Sequence, residues 1–212
     1  GKGEVSMSWG SPEFAGEATY DGMFNQPNVV FLAAAGDGAG TIYPSASPNV
    51  ISVGGTSISR SPLGNYQAEG AWQQTGSGPS GFEAKPAYQS TLAGTRRVTP
   101  DVSAVADPET GVWVYNSFPY NNQYYSSDWW VVGGTSVATP VWAGILNAAS
   151  TANKSFAANT SIELTRMYGD MAGTSYATEF KDITYRNCYF YRTYSAGPKY
   201  DACTGIGVPP TF

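Results

Sequence analysis

The sequence contains no histidine among its 212 residues. Histidine is the usual base that activates a serine nucleophile, so the common pairing of serine with histidine is excluded from this chain. A nucleophilic serine here has to be served by a carboxylate or by a lysine.

Charge is also scarce, at 13% of residues against roughly 25% in an average domain. Eleven Lys and Arg against 16 Asp and Glu give a net charge of −5. Such a surface has no basic footprint for nucleic acid and no cationic face for anionic lipid, so neither partner is expected. No apolar run reaches about 18 residues, and a membrane span is therefore not expected either.

The length suits a single domain over residues 1–212 with a sizeable core. Continuous apolar runs bounded by glycines lack alternation, which predicts strands buried on both faces of an open α/β sheet. These runs are residues 28–35, 50–54, 111–115 and 129–132. Helices are predicted at residues 15–24, 140–149 and 161–169, and loops at 70–81 and 117–128.

The most specific pattern is Gly-Gly-Thr-Ser at residues 133–136, between the last apolar run and a helix-like stretch. A serine on such a strand-to-helix turn exposes its hydroxyl beside helix N-terminal amides, which can stabilise an oxyanion. Ser136 is therefore a candidate nucleophile. The alternative is a serine that only caps the helix.

Five further blocks accompany this pattern in a fixed order. They are residues 5–10 (containing Ser-Trp-Gly), 33–37 (ending Gly-Asp), 43–48 with 53–56, 99–103 with 106–111, and 182–183 with 196–201 and 204–207. With Ser136 and without histidine, these blocks resemble the sedolisin (serine-carboxyl peptidase) family, which are acid-active relatives of subtilisin using Ser, Glu and Asp. The resemblance implies a subtilisin-like open parallel sheet flanked by helices.

The resemblance also implies roles for residues of the site. Ser136 is the expected nucleophile, and Asp37 is expected to donate a proton-bearing oxygen toward the oxyanion, which requires a neutral carboxylic acid. The alternative for Asp37 is a turn cap beside glycines. The residues expected to line the substrate cleft are Trp9, Gly10, Gly133 and Gly134.

No residue of this sequence matches the catalytic base of the family. In the family, Glu-x-x-x-Asp lies upstream of Ser-Trp-Gly, so the chain is expected to lack the N-terminal part of the family fold. The base pair is then expected from a segment outside these residues, for example an N-terminal fragment as partner. Glu17 and Asp21 have the right spacing but lie after Ser-Trp-Gly. Two solvated acids on an exposed helix face are the favoured interpretation of that pair.

The last block resembles the family's calcium region. The implied ligands of Ca²⁺ are two carboxylates and three backbone carbonyls, from Asp182, Ile183, Gly197, Lys199 and Asp201. Lys199 stands where the family usually has glycine, and a positive φ there would be costly for lysine. Cys188 and Cys203 flank this loop and are candidates for a disulfide. Two free thiols, or a metal-free loop held by the bridge, are the alternatives.

The resulting hypothesis is a secreted, acid-active peptidase that cleaves peptide or protein substrates through an acyl-enzyme on Ser136. The alternative is a catalytically inactive protein of the same fold that binds partners through aromatic surface loops, such as Trp129 and Trp130 with the Tyr-rich residues 115–125.

Overall fold

The computed structural model describes residues 2–117, 128–151, 157–188 and 194–210. The strands are Gly3–Met7 (β1), Ser11–Pro12 (β2), Val29–Ala34 (β3), Ile42–Tyr43 (β4), Ile51–Arg60 (β5), Tyr66–Ala71 (β6), Gly78–Ala84 (β7), Arg96–Thr99 (β8), Val102–Val105 (β9), Val112–Asn116 (β10), Asp128–Val132 (β11), Asn187–Cys188 (β12) and Tyr194–Ser195 (β13). The α-helices are Thr135–Thr151 (α1), Thr160–Ala172 (α2) and Tyr176–Glu179 (α3), and 3₁₀ helices cover Glu17–Phe24 and Ala87–Gln89.

The central sheet is parallel through four strands in the order β1, β3, β5 and β9. At Val53 the partners of β5 are β3 and β9, while at Thr56 they are β6 and β9. The antiparallel strand β6 therefore continues along the edge of β5 that β3 occupies at the other end. The predicted open α/β sheet is confirmed, with one antiparallel strand added.

Successive residues of β3 point to opposite faces, so this strand contributes to two cores. Val30 and Leu32 pack with α1 and α2 in the larger core, around Trp142 and Met167. Ala33 faces a smaller cluster on the other side, which includes Met7 and Phe24 of the 3₁₀ helix. Helices therefore cover both faces, which explains why the apolar run at residues 28–35 shows no alternation.

The helix α2 is close to its predicted bounds, and its start has a clear local cause. Asn159 is extended, and its side-chain oxygen accepts a hydrogen bond from the Ile162 N–H at 3.0 Å. This cap satisfies one of the amides that a helix N-terminus leaves without an internal partner. Among the described helices, none combines the length and apolarity that crossing a membrane requires.

Four predicted segments differ from the structure. Residues 111–115 and 129–132 are not buried strands of the parallel sheet, because β10 and β11 form a separate antiparallel hairpin. The residues Trp113 and Trp129 of that hairpin are 67% and 58% exposed. Residues 70–81 are not all loop, because β6 extends to Ala71 and β7 begins at Gly78. The segment at 15–24 is a 3₁₀ helix from Glu17, and most of the predicted loop at 117–128 lies outside the described residues.

Candidate active site

The strand β11 passes into α1 through Gly133 and Gly134, and Ser136 is the second residue of the helix. Ser136 is exposed, while Thr135 before it is fully buried. Gly134 has φ +90°, and a Cβ there would lie 2.6 Å from Asp37 Oδ2. Only glycine accommodates both this dihedral angle and this close approach. The turn therefore presents the serine hydroxyl at the N-terminus of α1, where the helix dipole is positive.

Asp37 follows β3 and lies next to this turn, although 99 residues separate it from Ser136. Its Oδ1 accepts hydrogen bonds from the Thr135 N–H at 2.7 Å and from the Thr135 hydroxyl at 2.8 Å. The same hydroxyl accepts a bond from the Gly36 N–H at 3.1 Å. Thr135 thus fixes the carboxyl through Oδ1, while Oδ2 lies against Gly134.

Pro140 lies inside α1 rather than in its first turn, because the helix begins five residues earlier. Proline has no N–H, so it cannot donate to the carbonyl of Ser136 four residues before it. The hydroxyl of Ser8 donates to that carbonyl instead, at 2.8 Å. This bond joins the residue that carries the candidate nucleophile to the end of β1, directly before Trp9 and Gly10.

The residues predicted to line the substrate cleft are connected to Ser136 by the chain or by the bond from Ser8. Trp9 is 61% exposed between β1 and β2. A Cβ on Gly10 would approach Ile42 Cδ1 to 2.7 Å, and one on Gly133 would approach the Ala106 carbonyl oxygen to 2.5 Å. Both glycines are thus required by contacts within the fold. Their contact with substrate stays a prediction.

Glu17 and Asp21 are not brought to Ser136. Glu17 accepts a hydrogen bond from the Phe14 N–H at 2.7 Å, and Asp21 accepts one from the Tyr43 hydroxyl at 3.1 Å. The expectation that both acids are solvated is wrong for Glu17, which has no exposed surface. Burial raises the pKa of the Glu17 carboxyl to about 7.

The predicted calcium loop brings its two carboxylates into one region. Asp182 Oδ2 accepts the Lys199 N–H at 2.9 Å, while its Oδ1 is buried with no hydrogen-bond donor among the described residues. Asp201 accepts bonds from the Cys203 and Thr204 N–H groups at 2.7 and 2.9 Å. Lys199 adopts φ 64°, the conformation that is costly for lysine.

A disulfide between Cys188 and Cys203 closes the same region, with the two Cα atoms 5.5 Å apart. Both cysteines are buried, and they pack against Ala71 at the end of β6. The bridge therefore closes the C-terminal loop, and its buried sulfurs pack against the end of β6.

Comparison of the chain with known proteins identifies its family. The Subtilase family (peptidase S8) matches residues 5–163. Sedolisin from Pseudomonas sp. (strain 101) is 32% identical, over 78% of this chain and 28% of that protein. Kumamolisin from Bacillus sp. (strain MN-32) is 30% identical, over 97% of this chain and 40% of that protein.

A solved structure agrees with these relatives. Pseudomonas sedolisin, described as a serine-carboxyl proteinase complexed with two molecules of pseudo-iodotyrostatin, superposes with a TM-score of 0.75 at 28% identity. The match covers 97% of this chain and 62% of that one, so the chain spans less than two thirds of each of these relatives. The chain belongs to the subtilase family. Within it, the predicted similarity to the sedolisins is confirmed.

Thr135 is the site residue that sequence reasoning missed. Its hydroxyl and amide both hold Asp37, so the threonine of Gly-Gly-Thr-Ser has a contact of its own and is more than a neighbour of the serine. The signal was present in the motif, but only the fold shows that the two segments meet.

Proposed function

We propose that this chain carries the nucleophile and the oxyanion donor of an acid-active serine-carboxyl peptidase. The observation that supports this most strongly is the contact of Asp37 with Thr135, which places a carboxyl group next to the residue before Ser136. The relatives named above carry the names of serine-carboxyl peptidases. A non-catalytic binding protein is not favoured by these similarities.

In the proposed reaction, Ser136 Oγ attacks the carbonyl carbon of a peptide bond and gives its proton to a base. The oxyanion that forms accepts a hydrogen bond from Asp37 Oδ2, which must carry a proton to donate it. Collapse of this intermediate breaks the C–N bond while the base passes its proton to the nitrogen, and the amine leaves. Water then hydrolyses the acyl-enzyme and regenerates the serine. The base is a carboxylate outside these 212 residues, on the same polypeptide or on an associated fragment.

The test compares two proteins: the 212-residue chain alone, and a longer protein that also contains the residues encoded upstream of it. Both are assayed with a peptide substrate at about pH 4. We expect cleavage only by the longer protein, because a serine without a base is a poor nucleophile. Ser136→Ala should abolish cleavage, while Ser161→Ala, at an exposed serine of α2, should not. Intact mass measurement under denaturing conditions identifies any fragment that copurifies.

Asp37 is tested in the same longer protein. Asp37→Ala should reduce turnover by about 10²–10³-fold, the usual effect of losing one oxyanion donor. Asp37→Asn retains a donor that does not titrate, so it should lose less activity and remain active to higher pH. Unchanged turnover of Asp37→Ala across the acid range would show that Asp37 only caps a turn.

We also propose that Asp182 and Asp201, with the carbonyls of Ile183, Gly197 and Lys199, hold Ca²⁺. The buried Asp182 Oδ1 without a donor supports this, because a cation would satisfy it. Burial raises the pKa of Asp201, so protons would compete with the cation in acid. The bound ion would stabilise the loop and play no part in the chemical steps.

Removal of calcium provides the test. A chelator should lower the melting temperature of the chain, since a ligand at 100 times its Kd stabilises the folded state by about 2.7 kcal/mol. Asp182→Asn should remove most of this response, and Asp170→Asn on α2 should leave it intact. The proposal fails if excess chelator leaves the melting curve unchanged and elemental analysis finds no calcium.

We infer that the protein works outside the cytosol. The Cys188–Cys203 disulfide supports this, because such bonds persist in oxidising compartments. Fractionation of the source cells, with detection of the oxidised protein, tests the inference. Exclusive recovery from the cytosol with both thiols reduced would contradict it.

A further inference from the structure

A group of four carboxylic side chains lies where the 3₁₀ helix Glu17–Phe24 packs against β7. Glu13 precedes this helix, Glu17 and Asp21 lie on it, and Glu83 belongs to β7. Glu17 is 0% exposed and Glu83 is 4% exposed. In the described part of the chain, no ion pair neutralises any of the four.

Two of these carboxyls have the same unusual feature. Glu17 Oε1 and Glu83 Oε1 are buried, and no described residue donates a hydrogen bond to either atom. Besides burial, the neighbouring carboxyl of Glu13 raises the pKa of Glu17, and that of Asp21 raises the pKa of Glu83, so the four acids act as two pairs. Two adjacent carboxylates cannot both be ionised in a buried site without a large cost. A proton shared within each pair supplies the missing donor.

The other member of each pair is held as the hydrogen-bond acceptor. Glu13 accepts bonds from the Ser80 hydroxyl and from the Gly81 N–H, the latter at 3.0 Å. Asp21 accepts its bond from the hydroxyl of Tyr43, on β4. These donors stabilise negative charge on Glu13 and Asp21. The protons therefore belong on Glu17 and Glu83.

We propose that Glu13, Glu17, Asp21 and Glu83 form a proton-binding cluster, which holds residues 12–25 against β7 in acid and releases them near neutral pH. This segment directly follows the Trp9–Gly10 turn, so the cluster makes the order of that wall of the cleft depend on pH. The inference does not require the proposed peptidase chemistry. The described residues include no group of three His, Cys, Asp or Glu side chains arranged to hold a metal ion.

The sign of the pH dependence follows from the two protonated groups. Burial, with repulsion from the neighbouring carboxylates, raises the pKa of Glu17 and that of Glu83 from 4.5 to about 7. Between these values the folded chain binds protons that the unfolded chain has released. Stability is therefore highest at acid pH and falls as the pH rises toward 7.

Urea unfolding of the 212-residue chain between pH 4.5 and pH 8 counts these protons, because the slope of the logarithm of the unfolding constant against pH equals their number. We expect about two protons taken up on folding near pH 6 in the wild type. Glu17→Gln and Glu83→Gln should each remove about one, and the double variant should be nearly independent of pH. Glutamine keeps the shape and supplies the N–H donor. Glu109→Gln, at an exposed position, is the matched control and should keep the wild-type slope.

A second measurement covers variants that do not fold. Carbon-13 NMR of the glutamate carboxyls in the wild-type chain should show two carboxyl groups whose titration midpoints lie near pH 7. Amide hydrogen exchange of residues 14–25, corrected for intrinsic rates, should be faster at pH 8 than in acid. Midpoints near 4.5 for every glutamate would overturn the proposal. So would a double variant with the wild-type slope. If added calcium restores the stability of the wild type at pH 8 but not that of the double variant, the cluster binds a cation and the proton proposal is wrong.

Discussion

Asp101 and Glu17 are both carboxylic residues without exposed surface, yet their surroundings are opposite. Asp101 accepts hydrogen bonds from both terminal nitrogens of Arg97, at 2.7 and 2.5 Å, and from the hydroxyl of Tyr168 at 2.8 Å. Glu17 faces another carboxyl and receives one backbone N–H. The first site pairs its charge with a permanent cation, while the second avoids a charge by holding a proton. Burial alone therefore does not say how an acid behaves.

The largest expected effect comes from breaking the cationic site. Asp101→Asn leaves the buried guanidinium of Arg97 without its counter-charge, and we expect a loss of about 3–5 kcal/mol in the free energy of unfolding. Because arginine stays charged at any accessible pH, the loss should be similar at pH 5 and pH 7.5. Urea denaturation at both pH values measures it.

The same spacing at the surface provides the control for that experiment. Arg166 and Asp170 form an i, i+4 pair at 2.7 Å, like Arg97 and Asp101, but Arg166 is 45% exposed at its side chain. Asp170→Asn should cost only about 0.2–1 kcal/mol. Equal losses in the two variants would mean that burial does not set the energy of the Arg97 pair.

A smaller effect is expected from the hydroxyl that supports Asp101. Tyr168→Phe removes a bond to a charged group and should cost about 1.5–3 kcal/mol. Tyr88 packs against Tyr168 with ring centroids 5.3 Å apart, and its hydroxyl donates to the neutral Pro48 carbonyl. Tyr88→Phe should therefore cost only about 0.5–1.5 kcal/mol. Thermal and urea unfolding at pH 5 compare the two, and a reversed order would contradict the assignment.

The smallest effect sharpens the description of the acidic site. Ser80→Ala removes the hydroxyl that donates to Glu13 and should cost about 1 kcal/mol. The loss should be larger at pH 7.5 than at pH 5, because Glu13 then faces an ionised Glu17 and depends more on its hydrogen-bond donors. A loss independent of pH would indicate that Ser80 only supports the backbone of β7 through its bonds with Phe82 and Glu83.

The central sheet and the main site were predictable from the sequence for local reasons. The run at residues 28–35 is apolar on both faces, and β3 is covered on both faces. The glycines before Thr135 mark the turn into α1, and the motif order predicted that Asp37 would meet it. These features depend on neighbours in sequence or on a pattern shared by a family.

The remaining features depend on partners that sequence spacing does not reveal. The aromatic run at Trp129 and Trp130 resembles a buried strand, but its only strand partner in the described chain is β10, which leaves both tryptophans partly exposed. The spacing of Glu17 and Asp21 indicated a solvated helix face. Glu17 is instead buried, in a helix that packs against β7, whose Glu83 is more than sixty residues away in the chain. Long-range pairing, rather than local propensity, decided each of these cases.

The missing N–H of Pro140 has a consequence for the coupling of distant segments. In an ordinary helix the carbonyl of Ser136 would be satisfied as soon as the second turn formed. Here it waits for Ser8, which is 128 positions away in sequence. Before β1 docks, water has to take the place of this donor, so the bond from Ser8 couples the start of α1 to the N-terminal strand. A disturbance at the end of β1 would therefore reach the backbone of Ser136 directly, across 128 positions of sequence.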